Sequence, residues 1–398
     1  MDDHKTIDLR FMPEITLDKG SLEQLHLQVA NSIGKSIVKN RIKVGTALPY
    51  EIWIAEEFGI NRNTVHKAYE KLISDGFAEK LDERKGIFVS DTAKKKYMPA
   101  FPAIGIVTSG NFSDLVYKST QNSLAYFSGV IDRATETKHS AIFLHLPDAE
   151  DKAGKTQQWI DDTVPRLSGI VHFGRDFHKN ALPLRLLLEN KQIPQVLISA
   201  FSLMSHISSV YGDVFSGGTA AADLLRDNGH RRVGILSSFI PPQKDDLFNY
   251  YAGVRAQMME ECFRKCNLRV DPGWVSIYPP KENILKTNIK KILAMKEHPT
   301  AFWCQNDYTA IEAIKIINDL GLNVPGDISI IGFDDVKEGA SCNPPLTTIR
   351  QPCYSIGQNA VDLLIDIFEN ESPGEARTVK TPTSLVERGS VARVAGGR

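Results

Sequence analysis

An α/β chain in two unlike parts is predicted: a small helical front module closed by a β-hairpin, and a larger region of parallel β-sheet flanked by helices. Three observations lead there. Residues 299–351 hold an apolar strand (Ala301 to Cys304), a polar Gln305-Asn306-Asp307 turn, a helix through Leu320 and a second strand (Ile328 to Phe333) ending in Asp334-Asp335. That is one β-α-β unit with acids and amides at both strand ends. The same alternation runs back to residue 103, through strand candidates at Ile104 to Thr108, Ala141 to Leu146, Gly169 to Phe173, Gln195 to Ser199, Val233 to Ser237 and Trp274 to Tyr278. Repeated β-α order means parallel sheets covered by helices on both faces. Residues 21–90 differ in texture, reading as three short helices and two short strands.

At 398 residues with 42% apolar content, the chain is long enough for two or three units with real cores. The net charge of −1 points to no class of partner. The first 30 residues carry no long apolar run and open with Asp2, Asp3, His4 and Lys5, and no stretch reaches the roughly 18 apolar residues of a membrane span, so a cytoplasmic protein with no membrane partner is expected. Cys262, Cys266, Cys304, Cys342 and Cys353 are odd in number and scattered, as for reduced thiols. Cys262 and Cys266 share a helical face, but no second Cys or His pair completes a zinc set, so no metal is expected. Neither a phosphate-cradling P-loop nor a nucleophile elbow is present, and no catalytic residue or cofactor is assigned.

In the front module Leu22, Leu25, Val29, Ile33 and Ile37 recur at three- and four-residue spacing and give a first amphipathic helix. Asn40 to Pro49 is a turn. Ile52 to Phe58 makes a second helix stopped by Gly59, and Asn61 can cap a third running to about Asp75. On that third helix Val65, Ala68 and Leu72 share one face, while Arg62, Asn63, His66, Lys67 and Glu70 share the other. The first face packs and the second is free to read. Strand candidates Phe77 to Lys80 and Ile87 to Ser90, joined by Asp82-Glu83-Arg84-Lys85-Gly86, complete a winged helix-turn-helix. Charge adds modest support: residues 1–98 hold 16 Lys and Arg against 15 Asp and Glu, with Lys35, Lys39, Arg41, Lys43, Arg62 and Lys67 in one stretch and Glu51, Glu56 and Glu57 gathered on the second helix.

The run from Ser36 to Pro49, the segment Asn61 to Ala68 and the hairpin from Gly76 to Val89 resemble the DNA-binding head of the GntR family of bacterial regulators. The resemblance implies a double-stranded operator as partner and Tyr50, Arg62, Asn63, Thr64, His66, Lys67, Arg84, Lys85 and Gly86 as DNA-contacting residues. Three positions depart from the family pattern. Tyr50 and Ile52 stand where Ser and Arg are usual, His66 stands where Arg or Lys is common, and Glu83 or Arg84 replaces a wing glycine. Residues 91–102, with three lysines and two prolines, read as an exposed linker in which Lys94, Lys95 and Lys96 are expected to face solvent rather than phosphate.

From residue 102 to the C-terminus the wording changes source. Ile104-Gly105-Ile106-Val107, Gly229-His230-Arg231-Arg232-Val233, the segment 299–351 and Pro382 to Arg388 resemble the effector domain of the lac/gal repressor family, itself similar to periplasmic sugar-binding proteins. The pairing of the two parts resembles the arabinose-repressor type of Gram-positive bacteria. The resemblance implies a ligand-responsive regulator, expected to be a repressor, that dimerises through residues 103–398. It also implies a bilobed, periplasmic-binding-protein-like fold, with lobe 1 at about 103–200 and 338–370, lobe 2 at about 201–335 and 371–398, and chain crossings near 200–210, 334–340 and 368–378.

Ligands of open parallel sheets bind outside the carboxyl ends of the strands. Carried over from the family, the ligand residues are Ser109, Phe173, Ser199, Tyr250, Asn306 and Asp334, with Phe112 and Phe248 as further aromatic candidates. Asn306 and Asp334 each have a plainer alternative as caps of the following helix, and Phe248 one as plain core. The family often has Arg at the Tyr250 position and Asp at the Ser199 position. Both charges are missing here, which leads us to expect a less charged, more aromatic cleft suited to a neutral pentose or 6-deoxyhexose and poorly suited to a phosphosugar. A regulator of the same architecture sensing a nucleoside or other small metabolite is the alternative. An aminotransferase-like enzyme fused to the head would need a pyridoxal-phosphate lysine in its own signature, and an exported binding protein would need a signal peptide; neither is found in the sequence.

Overall fold

The computed structural model describes residues 13, 15, 17, 18, 21, 24–38, 42, 44–81, 86–90, 103–108, 121–147, 153–173, 181–191, 193–202, 204–237, 248–277, 283–370 and 376–394. The linker at 91–102, the wing-tip residues Arg84 and Lys85, and Ser109 and Phe112 lie outside them. Two compact units are present, Met1–Pro102 and Ala103–Arg398.

The first unit is built from α1 (Leu25–Val38), α2 (Glu51–Glu57), α3 (Arg62–Ser74), β1 (Ala78–Lys80) and β2 (Ile87–Val89). Its core joins Val29, Ile33 and Ile37 of α1 to Ile54 of α2 and to Val65, Ala68 and Leu72 of α3, the face that three-residue spacing singles out. Asn61 caps α3 by accepting from the Asn63 N–H at 2.8 Å. The buried Tyr69 hydroxyl donates to the Pro49 carbonyl at 2.6 Å, tying α3 to the turn before α2. β1 and β2 pair antiparallel, and Ala47 adds a bridge to Phe88, so the wing is anchored on the turn 44–49.

The second unit contains β3 (Ala103–Val107), α4 (Gln121–Glu136), β4 (Ser140–Leu144), α5 (Ala153–Thr163), β5 (Leu167–Phe173), α6 (Ala181–Glu189), β6 (Gln195–Ile198), β7 (Ala200–Ser202), β8 (Ser208–Asp213), α7 (Val214–Asp227), β9 (Val233–Ser237), β10 (Phe248–Tyr250), α8 (Tyr251–Lys265), β11 (Val275–Ile277), α9 (Ile284–Leu293), β12 (Ala301–Cys304), α10 (Asp307–Asp319), β13 (Ser329–Phe333), α11 (Lys337–Ser341), β14 (Thr347–Arg350), α12 (Cys353–Asn370), β15 (Thr378–Pro382) and β16 (Ser384–Val386). Two six-stranded sheets result, ordered β15-β8-β6-β5-β3-β4 and β11-β9-β12-β13-β14-β16. Every pairing in them is parallel except β14 with β16. A short antiparallel ribbon, β7 with β10, is separate from both.

The expected crossings between lobes need correction. The chain passes from the first sheet to the second at 213–214, where β8 ends and α7 begins, and again at Thr383 between β15 and β16. It returns at 351–352 between β14 and α12, whose apolar face packs with α4 and the first sheet. Lobe 1 therefore includes 208–213 and 378–382, and lobe 2 includes 347–350. The mismatch has a local cause: β8 reads Ser208-Ser209-Val210-Tyr211-Gly212-Asp213 and β15 reads Thr378 to Pro382, polar segments that look like hinge until pairing with neighbouring strands satisfies their backbones, β8 in the sheet interior and β15 at its edge with Thr381 buried. The segment from Pro382 to Arg388 is divided at Thr383, whose hydroxyl donates to the Asp213 carbonyl at 2.6 Å and accepts from the Gly217 N–H at 3.0 Å.

The Gly229-His230 turn shows how a motif is held. Gly229 takes φ +85° just past α7, and buried His230 donates from Nε2 to the Ala392 carbonyl (3.1 Å) while Nδ1 meets the Thr300 hydroxyl (2.9 Å). α4 and α12 touch backbone to backbone: a Cβ at Gly129 would lie 2.0 Å from the Tyr354 carbonyl oxygen, and one at Gly357 would lie 2.2 Å from that of Tyr126. All five cysteines are free thiols. Among the described residues no helix is long and apolar enough to cross a membrane, and no group of three or more metal-ligating side chains gathers.

Candidate ligand cleft and DNA-reading face

In the first unit Arg62, Asn63, His66, Lys67 and Glu70 are all exposed on α3, with Thr64 half-buried. Glu51, in the first turn of α2, grips two of them: Arg62 Nε lies 3.1 Å from Oε2 and His66 Nδ1 lies 2.7 Å from Oε1. Burial raises the Glu51 carboxyl, but hydrogen bonds from His66 and Arg62 outweigh it and leave its pKa lowered. The same bond raises His66 above its ordinary 6.5, with the Glu51 and Glu70 charges adding to it. Tyr50 is exposed beside Trp53, ring centroids 5.0 Å apart at 89°. Gly86 enters β2 at φ +132°.

This geometry sets the sign of a pH effect. A His whose pKa is raised by a partner contributes stability that is complete below about 6.5 and is lost as the pH rises through the raised value. Protonation also adds a positive charge to the exposed face of α3. Operator affinity should therefore rise as the pH falls from about 8 to 6, more steeply in wild type than in His66→Gln. Equal slopes in gel-shift titrations of the two proteins would remove His66 from the contacts.

In the second unit Phe173, Ser199, Tyr250, Asn306 and Asp334 fall at or just past strand ends, and the structure links two of these expected ligand residues. Ser199, at φ +56° just past β6, donates to the Tyr126 hydroxyl at 2.9 Å. That hydroxyl lies 3.5 Å from Gln351 Oε1, and Gln351 Nε2 donates to Asp334 Oδ1 at 2.5 Å. Asn122 of α4 also reaches the Asp334 carbonyl at 3.2 Å. Lobe 1 and lobe 2 thus meet at Asp334, with Gln351 of the second crossing between them. Asp334 sits at φ +115°, a conformation costly for a side-chain-bearing residue, followed by Asp335 at +55°. Its backbone N–H is bonded to the Ile349 carbonyl at 2.8 Å, and Arg350 Nε and Arg388 each lie 2.6 Å from the Asp335 carboxylate.

The neighbouring residues take other roles. Asn306 caps α10, its Oδ1 accepting from the Thr309 N–H at 2.8 Å, which commits that oxygen to the helix. Phe173 stacks on Phe127 with centroids 4.0 Å apart and planes at 13°. Tyr250 is paired through its backbone with Ala200, beside Ser199; its side chain and that of Phe248 lie outside the described ones. Asp307, fully buried at the start of α10, accepts from the Thr348 hydroxyl (2.5 Å) and the Val336 N–H (2.8 Å). Burial pushes its carboxyl up to about 7 against those two bonds, with the Asp334 and Asp335 charges adding to the push.

The expectation of a less charged cleft is corrected by Arg255. This residue of α8 is 6% exposed. Its guanidinium lies 4.0 Å over the Phe333 ring, donates to the Gln305 carbonyl at 2.7 Å, and comes within 3.6 Å of Asp334 Oδ1. The position that the family pattern marks, Tyr250, is empty of charge, and a cation arrives instead from the next turn and a half of the helix. In the sequence Arg255 sits in a polar helix among Glu260, Glu261 and Arg264, and nothing in its local order marks it for the cleft.

A periplasmic binding protein-like domain matches residues 222–391, and the gntR family of bacterial regulatory proteins matches residues 25–89. The HTH-type transcriptional repressor PurR of Histophilus somni is 30% identical over 270 residues, 67% of this chain and 78% of its own length. The arabinose metabolism transcriptional repressor of Geobacillus stearothermophilus is 28% identical over 391 residues, 96% of this chain and 100% of its own. A LacI family transcriptional regulator of Mycobacterium smegmatis has the same fold, with a TM-score of 0.55 at 22% identity over 73% of this chain and 100% of its own. The chain belongs to the LacI-type family of transcriptional repressors, with a GntR-family DNA-binding head in front of its effector domain.

Proposed function

We propose that this repressor acts on sugar-utilisation genes and is released from its operator by a neutral monosaccharide, a pentose or a 6-deoxyhexose. One observation carries the reading. A carboxylate on a strained backbone, Asp334, stands at the carboxyl end of β13 where the two lobes meet, its side chain 20% exposed. A carboxylate offers roughly four acceptor sites, enough to take two sugar hydroxyls in a geometry that rejects epimers. Arg255 cancels its charge, so the site has no net positive charge for a phosphosugar. The arabinose metabolism repressor that matches 96% of the chain supports the same class of ligand.

In this reading residues 21–90 bind DNA through Tyr50, Arg62, Asn63, Thr64, His66, Lys67 and the wing from Arg84 to Gly86. Residues 91–102 are the linker, and 103–398 bind effector and form a cytoplasmic homodimer on a pseudo-palindromic operator. Exposed Leu124 and Ile131 on α4 and Ile142 on the adjoining edge strand β4 support such a self-association. Ser199, Phe173, Tyr250, Asn306, Ser109 and Phe112 line the effector site with Asp334, and closure of the lobes lowers operator affinity. The stacked Phe127–Phe173 pair favours a second reading, a nucleoside whose base lies against an aromatic face. A thermal-shift panel decides between them: at 100 times Kd a true effector adds about 2.7 kcal/mol of stability. No shift with any pentose or deoxyhexose would sink the first reading, and a shift with nucleosides alone would install the second.

A further inference from the structure

Resting on the reading of Asp334 as an effector acceptor, we propose that Arg255 is a positioning residue for effector recognition. Its guanidinium holds the Asp334 carboxylate ionised and aimed, and by cancelling that charge makes the cleft select a neutral polyhydroxy compound over a cation.

The corner where β12, β13 and β14 end holds three acids in a small space, Asp307, Asp334 and Asp335. Asp335 is balanced by Arg350 and Arg388. Asp307 is enclosed and fully served by Thr348 and the Val336 N–H. Facing Asp334 are Gln351 from the crossing, Asn122 and Tyr126 from α4, Cys353 from α12, Asp307 from α10, and Arg255 from α8. Burial keeps the Tyr126 hydroxyl and the Cys353 thiol uncharged at neutral pH. Among these described groups Arg255 is the cation.

Arg255 is also fixed to both strand ends that carry the expected ligand residues. It donates to Gln305, one residue before Asn306, and stacks on Phe333, one residue before Asp334. The planar guanidinium can do both at once; an ammonium cannot. A lone carboxylate in this corner would instead be protonated more readily beside Asp307 and Asp335, or would attract a cationic ligand.

Two measurements on the full chain separate this proposal from the monosaccharide reading. Carboxyl-carbon NMR of aspartate-labelled, ligand-free protein follows Asp334, assigned by loss of its signal in Asp334→Asn. In Arg255→Met, and in Arg255→Gln, which keeps a donor for the Gln305 carbonyl should the Met variant fail to fold, the Asp334 signal should titrate at least about one pH unit higher than in wild type. Unchanged titration in a folded variant overturns the proposal whatever the effector is. Calorimetry with arabinose should give wild-type affinity constant within about twofold from pH 8 to pH 4, and about a tenfold loss over that range in Arg255→Gln, with Arg255→Lys, which keeps the charge but not the stacking on Phe333, between the two. Glucosamine should bind Arg255→Gln better than it binds wild type. A flat profile and unchanged sugar preference in Arg255→Gln reduce Arg255 to a packing residue. If wild type binds no neutral monosaccharide, the effector assignment falls and the carboxyl titration alone decides the role of Arg255.

Discussion

Asp334→Ala should lose roughly 1.5 to 3 kcal/mol of monosaccharide binding, the range for a hydrogen bond to a charged group. The variant removes the acceptor from a place where the backbone is held at φ +115° and where Gln351 and Arg255 both approach Oδ1. The hydroxyls that bonded to it are left inside a closed cleft without their carboxylate acceptor, and Arg255 is left without its counter-charge. Asp334→Asn keeps an oxygen for Gln351 and separates loss of charge from loss of shape. Operator binding without sugar should persist, because the residues assigned to DNA belong to the other compact unit. In cells the result would be a repressor that no longer answers its inducer. Wild-type affinity for the sugar in calorimetry would make Asp334 a structural turn residue and move the ligand site elsewhere.

Arg62→Ala should weaken operator binding by about 1 to 3 kcal/mol while leaving sugar affinity and the fold intact. Arg62 is the most exposed member of the Glu51 cluster, with 71% of its side chain accessible. Its bond to Glu51 adds little to stability, since exposed pairs contribute roughly 0 to 1 kcal/mol. That contact orients the guanidinium off the N-terminal end of α3, the end that enters a major groove in helix-turn-helix proteins. A bidentate base contact should also relax preference at one operator position, whereas a phosphate contact should weaken all sequences alike and flatten the salt dependence. Gel-shift titration on an operator recovered by selection from random DNA reads both, and unchanged affinity would take Arg62 out of the interface.

Much of the architecture was legible because it depends on periodicity. The buried stripe of α3, the strands at 104–107, 233–237, 301–304 and 329–333, and the turn at Asn61 all follow from spacing that one face of an element must satisfy to be buried. The place of Asp334 at a strand end was legible for the same reason: it is the first polar residue after the apolar run of β13. β8, β14 and β15 were not, since Ser208, Ser209, Thr347, Thr348 and Thr381 are polar side chains buried in the sheets. Hydrogen-bond partners for these strands lie far along the chain, such as the Ser390 hydroxyl, which accepts from the Thr347 N–H. The crossings, placed by those strands, moved with them.

Arg255 marks the boundary most sharply. Local order makes it a helical residue with charged neighbours, where a solvated side chain is the ordinary outcome. α8 instead lays it across the ends of β12 and β13, between Gln305, Phe333 and Asp334. Which residues form helices and strands, and which face of each is apolar, follow from side chains a few positions apart and so can be read along the chain. The charge balance of the cleft, the partner of each buried acid and the sheet to which a polar strand belongs depend on groups tens to hundreds of residues apart. Packing alone brings those together, because a buried ion or amide is tolerated only where distant partners satisfy it.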